Sequence, residues 1–260
     1  LRILLHPGFH KTGTSSLQRG AVARMDQLEP QLRLLLTADI LDATQAARTF
    51  SARQQASSLG EFAECFTAAI RPLDTSDTRP VLISAEDLSG ILPGRRGVAG
   101  YDAAGPLMNV ACAVLRSHFG ERADITVWFT TRTARDWQQS VYWQNLRALR
   151  LTEEFETYRV KLQHAARLPE IVNAVTHRLG HRAKVLSTPI EASGSDPLGP
   201  LGVALDLLKV SREGLDPLPA HNVQPEGAAE ELLALNRSDL DDDALIEAKR
   251  RLIRRMRKAD

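Results

Sequence analysis

Leu1-Arg2-Ile3-Leu4-Leu5-His6-Pro7-Gly8-Phe9-His10-Lys11-Thr12-Gly13-Thr14-Ser15-Ser16 decides how the rest of the chain is read. Its first six residues are a short apolar run closed by Pro7-Gly8, the pattern of a strand covered on both faces of a sheet. Beyond the loop, Leu17, Ala21, Met25 and Leu28 fall on one face of a helix that stops before Pro30. Strand, glycine-bearing loop and helix in that order bring backbone N–H groups to a helix N-terminus, where they converge on an anion, by default a phosphate. Gly8 and Gly13 keep the spacing of the nucleotide-binding pattern GxxxxGK[ST], but Thr14 stands at the lysine position and Lys11 lies inside the loop. A lysine so displaced approaches the bridge between a 5′-phosphate and its terminal group, not a β,γ-phosphate pair with Mg²⁺. When the terminal group leaves, charge develops on the bridging oxygen, and a fixed ammonium there stabilises the transition state more than the ground state.

The same alternation continues outward. Val81–Ser84, Ile125–Thr130 and Ala183–Leu186 read as further strands, and Leu32–Leu36 as a strand or the start of a helix. Helices are expected over 39–71 with a break near Ser57–Gly60, over 107–119 closed by Gly120, and between Pro169 and Gly180. Thr133, with Asp136 three residues on, has capping-box form at the start of a helix that runs to about Arg150. The glycine-rich stretch 93–105 reads as a mobile loop, and 187–202 and 213–227 read as loops. Two helices are expected to follow, near 226–236 and 240–257. Strands alternating with helices predict an α/β fold of three layers, a mainly parallel sheet flanked by helices. We expect one domain over 1–260, with a core over about 1–190 and a helical, loop-rich remainder over 191–260.

Bulk properties narrow the function. With 260 residues, 43% of them hydrophobic, the chain can bury a sizeable core. Lys and Arg total 33 against 32 Asp and Glu, a net charge of +1, so no global pull toward nucleic acid or membrane is expected and any anion site must be local. Cys65 and Cys112 stand alone, without the clustered His or Cys of a structural zinc site, so no metal is expected and a reducing, cytoplasmic setting fits. No apolar run approaches the roughly 18 to 20 residues of a membrane span, and no signal peptide is expected within the residues given.

A second anion site is expected at Thr131-Arg132-Thr133-Ala134-Arg135-Asp136-Trp137-Gln138-Gln139-Ser140. In a parallel sheet the C-terminal ends of strands line one crevice, so Arg132 should emerge on the same edge as the loop. Ser140, about two turns into the helix, can face the same cavity, and a guanidinium fork with a hydroxyl suits a phosphate that lies away from any helix dipole.

With these residues the sequence resembles the sulfotransferases that use 3′-phosphoadenosine 5′-phosphosulfate (PAPS), especially a bacterial branch whose first strand ends in a Gly-Phe-His-Lys-Thr-Gly-Thr-type loop. The resemblance implies a P-loop-like sulfotransferase fold and a bacterial source. It further implies Lys11 as the catalytic lysine, Thr12, Gly13, Thr14, Ser15 and Ser16 as the cradle of the 5′-phosphate, and Arg132 and Ser140 as the holders of the 3′-phosphate. PAPS would be the sulfuryl donor and 3′,5′-adenosine bisphosphate the product, with no metal. The C-terminal third departs from the pattern: it has no Arg-Lys-Gly triplet of the kind that completes the 3′-phosphate site, and Pro219-Ala220-His221-Asn222 is the candidate to stand in its place.

On the acceptor side, in-line transfer to a hydroxyl or amine is helped by a base. Glu86, just past the strand Val81–Ser84, is the leading candidate, and Ser84-Ala85-Glu86 resembles the strand-end glutamate of carbohydrate sulfotransferases; it could equally only cap the next turn. His10 and His6 are the alternatives. Trp137, Tyr142 and Trp143 could face a sugar or phenol, although helical spacing favours core packing for Trp137. The basic tail 249–258 reads as an amphipathic helix with Leu245, Leu252, Ile253 and Met256 inward. The expected activity is sulfuryl transfer to a small-molecule or glycan acceptor. A P-loop-type kinase or NTPase, or a catalytically silent nucleotide-binding protein, is the alternative.

Overall fold

The computed structural model describes residues 1–218 and 227–259, with side chains up to Met256. Five strands, β1 (Arg2–His6), β2 (Arg33–Leu36), β3 (Val81–Ser84), β4 (Asp124–Thr131) and β5 (Lys184–Pro189), form one sheet in the order β2-β3-β1-β4-β5. Every pairing is parallel, so the sheet is wholly and not merely mainly parallel. The central strand β1 sets Leu5 beside Ile83 of β3 and Val127 of β4. The chain passes from β3 to β4 across β1, which opens a crevice at the C-terminal ends of these three strands.

The helices are α1 (Thr14–Val22), α2 (Met25–Leu28), α3 (Leu41–Arg53), α4 (Ala56–Ile70), α5 (Ala104–Phe119) and α6 (Ala134–Ala148), then α7 (Phe155–Lys161), α8 (Leu168–Leu179), α9 (Gly199–Leu208), α10 (Ala228–Asn236) and α11 (Asp242–Ala259). Successive strand residues point to opposite faces, and the core divides accordingly. Ile3, Leu5, Ile83, Val127 and Phe129 join the core under α3, α4, α5 and α8. Leu4, Leu82 and Trp128 join the other, under α1 and α9. Each such side chain, taken fully from water, stabilises the fold by about 1.5 to 3 kcal/mol, which is why these strands read as unbroken apolar runs.

Several expectations need correction. The helix after the loop breaks at Ala23-Arg24, because the buried Arg24 guanidinium turns to the carbonyls of Gly20, Asp216 and Pro217. The break in 39–71 lies at Gln54-Gln55, where Gln54 takes φ 53°, and Ser57–Gly60 sits inside α4. Only the end of the stretch 93–105 departs from a loop: residues 94–100 are turns, bends and irregular backbone, while Tyr101 is buried against Phe9 and α5 begins at Ala104. Within 187–202, β5 runs on to Pro189 and α9 starts at Gly199. Pro200 in the first turn of α9 needs no N–H partner, so it marks the start of a helix. The segment Pro219-Ala220-His221-Asn222 lies outside the described residues.

Candidate active site

The loop between β1 and α1 is a chain of left-handed turns: Gly8 has φ 45°, Lys11 67° and Gly13 103°. A Cβ on Gly8 would lie 2.2 Å from the Thr14 Oγ1 atom, so the loop closes this tightly only with glycine there. Lys11 has a side chain and still adopts the left-handed region, a conformation that costs on the order of 1 to 3 kcal/mol unless its surroundings hold it. They do so on both sides. The N–H of His10 donates to the Tyr101 hydroxyl at 3.2 Å, and its carbonyl accepts the Trp137 indole N–H at 2.8 Å. Thr12, fully buried, donates its hydroxyl to the Phe9 carbonyl at 2.7 Å and pairs with the Thr130 hydroxyl at 2.8 Å. Thr12 thus staples the loop to β4, and among the loop residues expected to cradle a phosphate it is the one without exposed surface.

Gly13 is the N-cap of α1, whose first turn carries no acidic residue and no side-chain cap. The first-turn N–H groups of such a helix lack intrahelical acceptors and concentrate positive potential. Among the described residues, the buried Thr14 hydroxyl has no hydrogen-bond partner.

Lys11, Thr14, Arg132, Ser140 and Glu86 all line one open cavity of about 1000 Å³. Gly13, Ser15, Ser16 and His10 line it too. Arg132 leaves the end of β4, and the next residue, Thr133, caps α6 by accepting the Asp136 N–H at 3.3 Å and donating to the Asp136 carboxylate at 2.7 Å. From that start α6 runs along the cavity, presenting Asp136, Ser140, Trp143 and Arg147 at helical spacing. Trp137 and Tyr142, by contrast, are core residues. Ile190 and Glu191 beyond β5, and Arg95 within 93–105, complete other walls.

The charges are uneven. Lys11, Arg19, Arg48, Arg95, Arg132 and Arg147 are six cations on the lining, against the four carboxylates of Glu86, Asp87, Asp136 and Glu191. Among the described residues no hydrogen bond or ion pair engages the Lys11 ammonium or the Arg132 guanidinium. Burial pushes the pKa of Lys11 down; the Glu86 carboxylate opposes that, and Arg147, Arg132 and Arg95 add to it. A half-buried ammonium among guanidinium groups is a site that gains by receiving an anion.

The two histidines take different places. His6 is fully buried beneath the loop, Nδ1 on the Ser84 hydroxyl at 2.9 Å and Nε2 on the Thr130 hydroxyl at 3.3 Å. Burial lowers its pKa to about 3, and it is absent from the cavity lining, so His6 is corrected from candidate base to structural residue. His10 reaches the cavity, but both ring nitrogens are engaged, Nδ1 with the Tyr101 hydroxyl at 3.2 Å and Nε2 with Asp87 at 3.1 Å. In the Nε2–H tautomer of His10 the Tyr101 hydroxyl donates to Nδ1 and Nε2–H donates to Asp87. Asp87 is further paired with Arg48 at 3.9 Å, whereas no hydrogen bond or ion pair among the described residues occupies Glu86.

Arg95, Arg147, Arg48 and Tyr101 did not stand out in the sequence. Arg147 had a usable signal, lying seven residues after Ser140 and so on the same helical face. Arg95, in a glycine-rich stretch, had none. The basic tail helix packs Leu245 and Leu252 inward as expected, and Ile253 reaches the cavity. Its Lys249, read as part of a solvated basic face, is instead buried and donates to the Leu149 carbonyl at the end of α6, at 2.7 Å.

Among the described residues no group of three or more His, Cys, Asp or Glu gathers as a metal site would require, and no helix is long and apolar enough to cross a membrane. No family model matches the sequence, and no curated protein matches it. Among solved structures, the chain is similar to a sulfotransferase from Alicyclobacillus acidocaldarius, at 15% identity and a TM-score of 0.49, with 94% of each chain covered.

Proposed function

We propose that this chain transfers a sulfuryl group from PAPS to a hydroxyl or amine. One observation carries the reading: Lys11 and the N-terminus of α1 share a cavity with Arg132 and Ser140, which would serve as two anion-binding poles in one space. A donor with a single phosphate chain needs only the first pole; one that also carries a 3′-phosphate needs both. The volume, about 1000 Å³, lies at the upper end of ordinary ligand pockets and leaves room for an acceptor.

The residues present fit such a donor. The Thr14 hydroxyl is buried and unpartnered, the first turn of α1 has no carboxylate to compete with a phosphate, and Arg132 has no ion-pair partner among the described residues. When bound, the donor supplies a sulfuryl group activated by its bond to the 5′-phosphate. The N–H groups of Gly13 to Ser16 would hold that phosphate, and Arg132 with Ser140 the 3′-phosphate. Glu86 would take the proton of the acceptor as its oxygen or nitrogen forms the new bond to sulfur. Lys11 would meet the charge left on the bridging oxygen as the old sulfur–oxygen bond breaks. His10 holds Lys11 in place through its backbone and ring contacts and is a positioning residue in this scheme.

Turnover with labelled PAPS tests the assignment. Lys11→Ala should lower transfer by about 10²-fold or more while the unfolding midpoint stays put; transfer at the unaltered rate would remove Lys11 from the chemistry.

A further inference from the structure

Glu86 opens a short 3₁₀ turn, Glu86–Ser89, that follows β3 and also grips the Lys11 loop. Ser89 donates its hydroxyl to the Pro7 carbonyl at 3.3 Å, and the Asp87 carboxylate lies 3.1 Å from His10 Nε2. Arg48 of α3 stands beside Asp87 at 3.9 Å. Neighbouring acids on one turn thus take different tasks: Asp87 faces His10, while no hydrogen bond or ion pair among the described residues occupies Glu86.

The His10 ring has partners at both ends. Tyr101 is buried, and among the described residues its hydroxyl has no hydrogen-bond partner but His10, whose backbone N–H and Nδ1 each lie 3.2 Å from the phenol oxygen. A backbone N–H can only donate, so the phenol oxygen accepts it and the phenol hydrogen is left for Nδ1. That exchange requires Nδ1 to be bare and the ring proton to sit on Nε2. In the other tautomer two donors would converge on one phenol oxygen, whose own hydrogen would be buried without an acceptor. The Nε2 lone pair would then also face a carboxylate. Asp87 accepts Nε2–H and so favours the tautomer in which every donor is used.

Lys11 depends on the same contacts. Its left-handed turn, at φ 67°, is held by the two bonds that fix the preceding residue, Tyr101 on the His10 N–H and Trp137 on the His10 carbonyl. We propose that Asp87 is a positioning residue for Lys11: by accepting Nε2–H of His10 it sets the tautomer that lets Tyr101 clasp the His10 ring and backbone together, and so fixes the turn from which the ammonium reaches the cavity. The consequence for turnover rests on the sulfuryl-transfer reading; the tautomer does not. Through this link the turn that carries the proposed base also sets the place of the proposed lysine.

Two measurements on the full chain test it. Nitrogen-15 NMR of the histidine rings, with His10 assigned by the signals missing from His10→Ala, should show Nε2 protonated and Nδ1 bare near neutral pH. Asp87→Leu removes the acceptor and should shift His10 to a mixture of tautomers, whereas Asp87→Asn, whose amide oxygen still accepts, should keep the wild-type pattern. In turnover of labelled PAPS, Asp87→Leu should lower kcat about tenfold with KM for PAPS within about threefold of wild type, and Asp87→Asn should recover most of that loss. Asp87 lines the cavity itself, so the two substitutions are also combined. In the His10→Ala background Asp87→Leu should cost little more, as expected of a residue that acts through His10 and not on a ligand. Asp87→Ala gives the same readings should the leucine variant fail to fold. A proton on Nδ1 in the wild type, a tautomer unmoved by loss of the Asp87 carboxylate, or additive effects of the two substitutions overturns the proposal. No transfer by the wild type would instead strike the donor reading, and the NMR arm would still decide whether Asp87 sets the His10 tautomer.

Discussion

Trp137 donates its indole N–H to the carbonyl of His10 at 2.8 Å, so the helix that carries Ser140 also fixes the residue preceding Lys11. The two proposed anion poles are thereby one mechanical unit. Strain at Lys11, visible in its φ of 67°, is held by a contact from the helix that carries Ser140.

Trp137→Phe keeps most of the buried ring and removes the donor, leaving a buried carbonyl unpaired. The expected cost is about 1 to 3 kcal/mol of stability, read from urea unfolding, together with weaker bisphosphate binding as the Lys11 turn relaxes. Unfolding and binding both equal to wild type would show that the contact does not hold the loop.

Lys11 carries a pKa lowered from 10.5, chiefly by burial. Its ammonium form is therefore lost, as pH rises, earlier than that of an exposed lysine. Bisphosphate affinity should accordingly weaken with rising pH before 10.5 is reached, while Lys11→Arg, which keeps its charge, should stay flat over the same range. Parallel pH profiles for the two proteins would contradict the role given to this ammonium.

His6 titrates near 3 in the folded chain against 6.5 as a free side chain. Between those values the unfolded chain binds the extra proton, so stability from this group is complete above pH 6.5 and falls as pH drops toward 3. The slope approaches about 1.4 kcal/mol per pH unit. His6→Asn cannot titrate, so its stability deficit relative to wild type should shrink by about 2 kcal/mol between pH 7 and pH 5, measured by urea unfolding. A deficit independent of pH would show that His6 is not held neutral.

The sheet was legible because its strands are short apolar runs bounded by loops, and Val81–Ser84 was found to the residue. The helix α9 was not, since Gly199, Pro200 and Gly202 resemble loop composition. Gly202 stands inside that helix because Asp196 packs against it, its carboxylate 2.5 Å from where a Cβ would lie, and no sequence pattern announces that. The residues proposed as anion poles, which the structure brings to one cavity, could be picked out for the opposite reason, because strand ends and helix starts carry local signals in glycine, capping residues and spacing. Arg95 was hidden because its position depends on a long-range bond to Asn145, and His6 looked available until its partners Ser84 and Thr130 closed over it. Local chemistry writes itself into adjacent residues; burial and pairing across the fold do not.

The central claim is that Arg132 and Ser140 read a phosphate distinct from the one held by the Lys11 loop. Calorimetry with 3′,5′-adenosine bisphosphate and with AMP, on wild type and Arg132→Ala, tests it most directly. The account predicts that the bisphosphate binds about 10²-fold tighter than AMP and that Arg132→Ala removes most of that difference while leaving AMP affinity nearly unchanged. Equal affinity of the two nucleotides for the wild-type protein would contradict it.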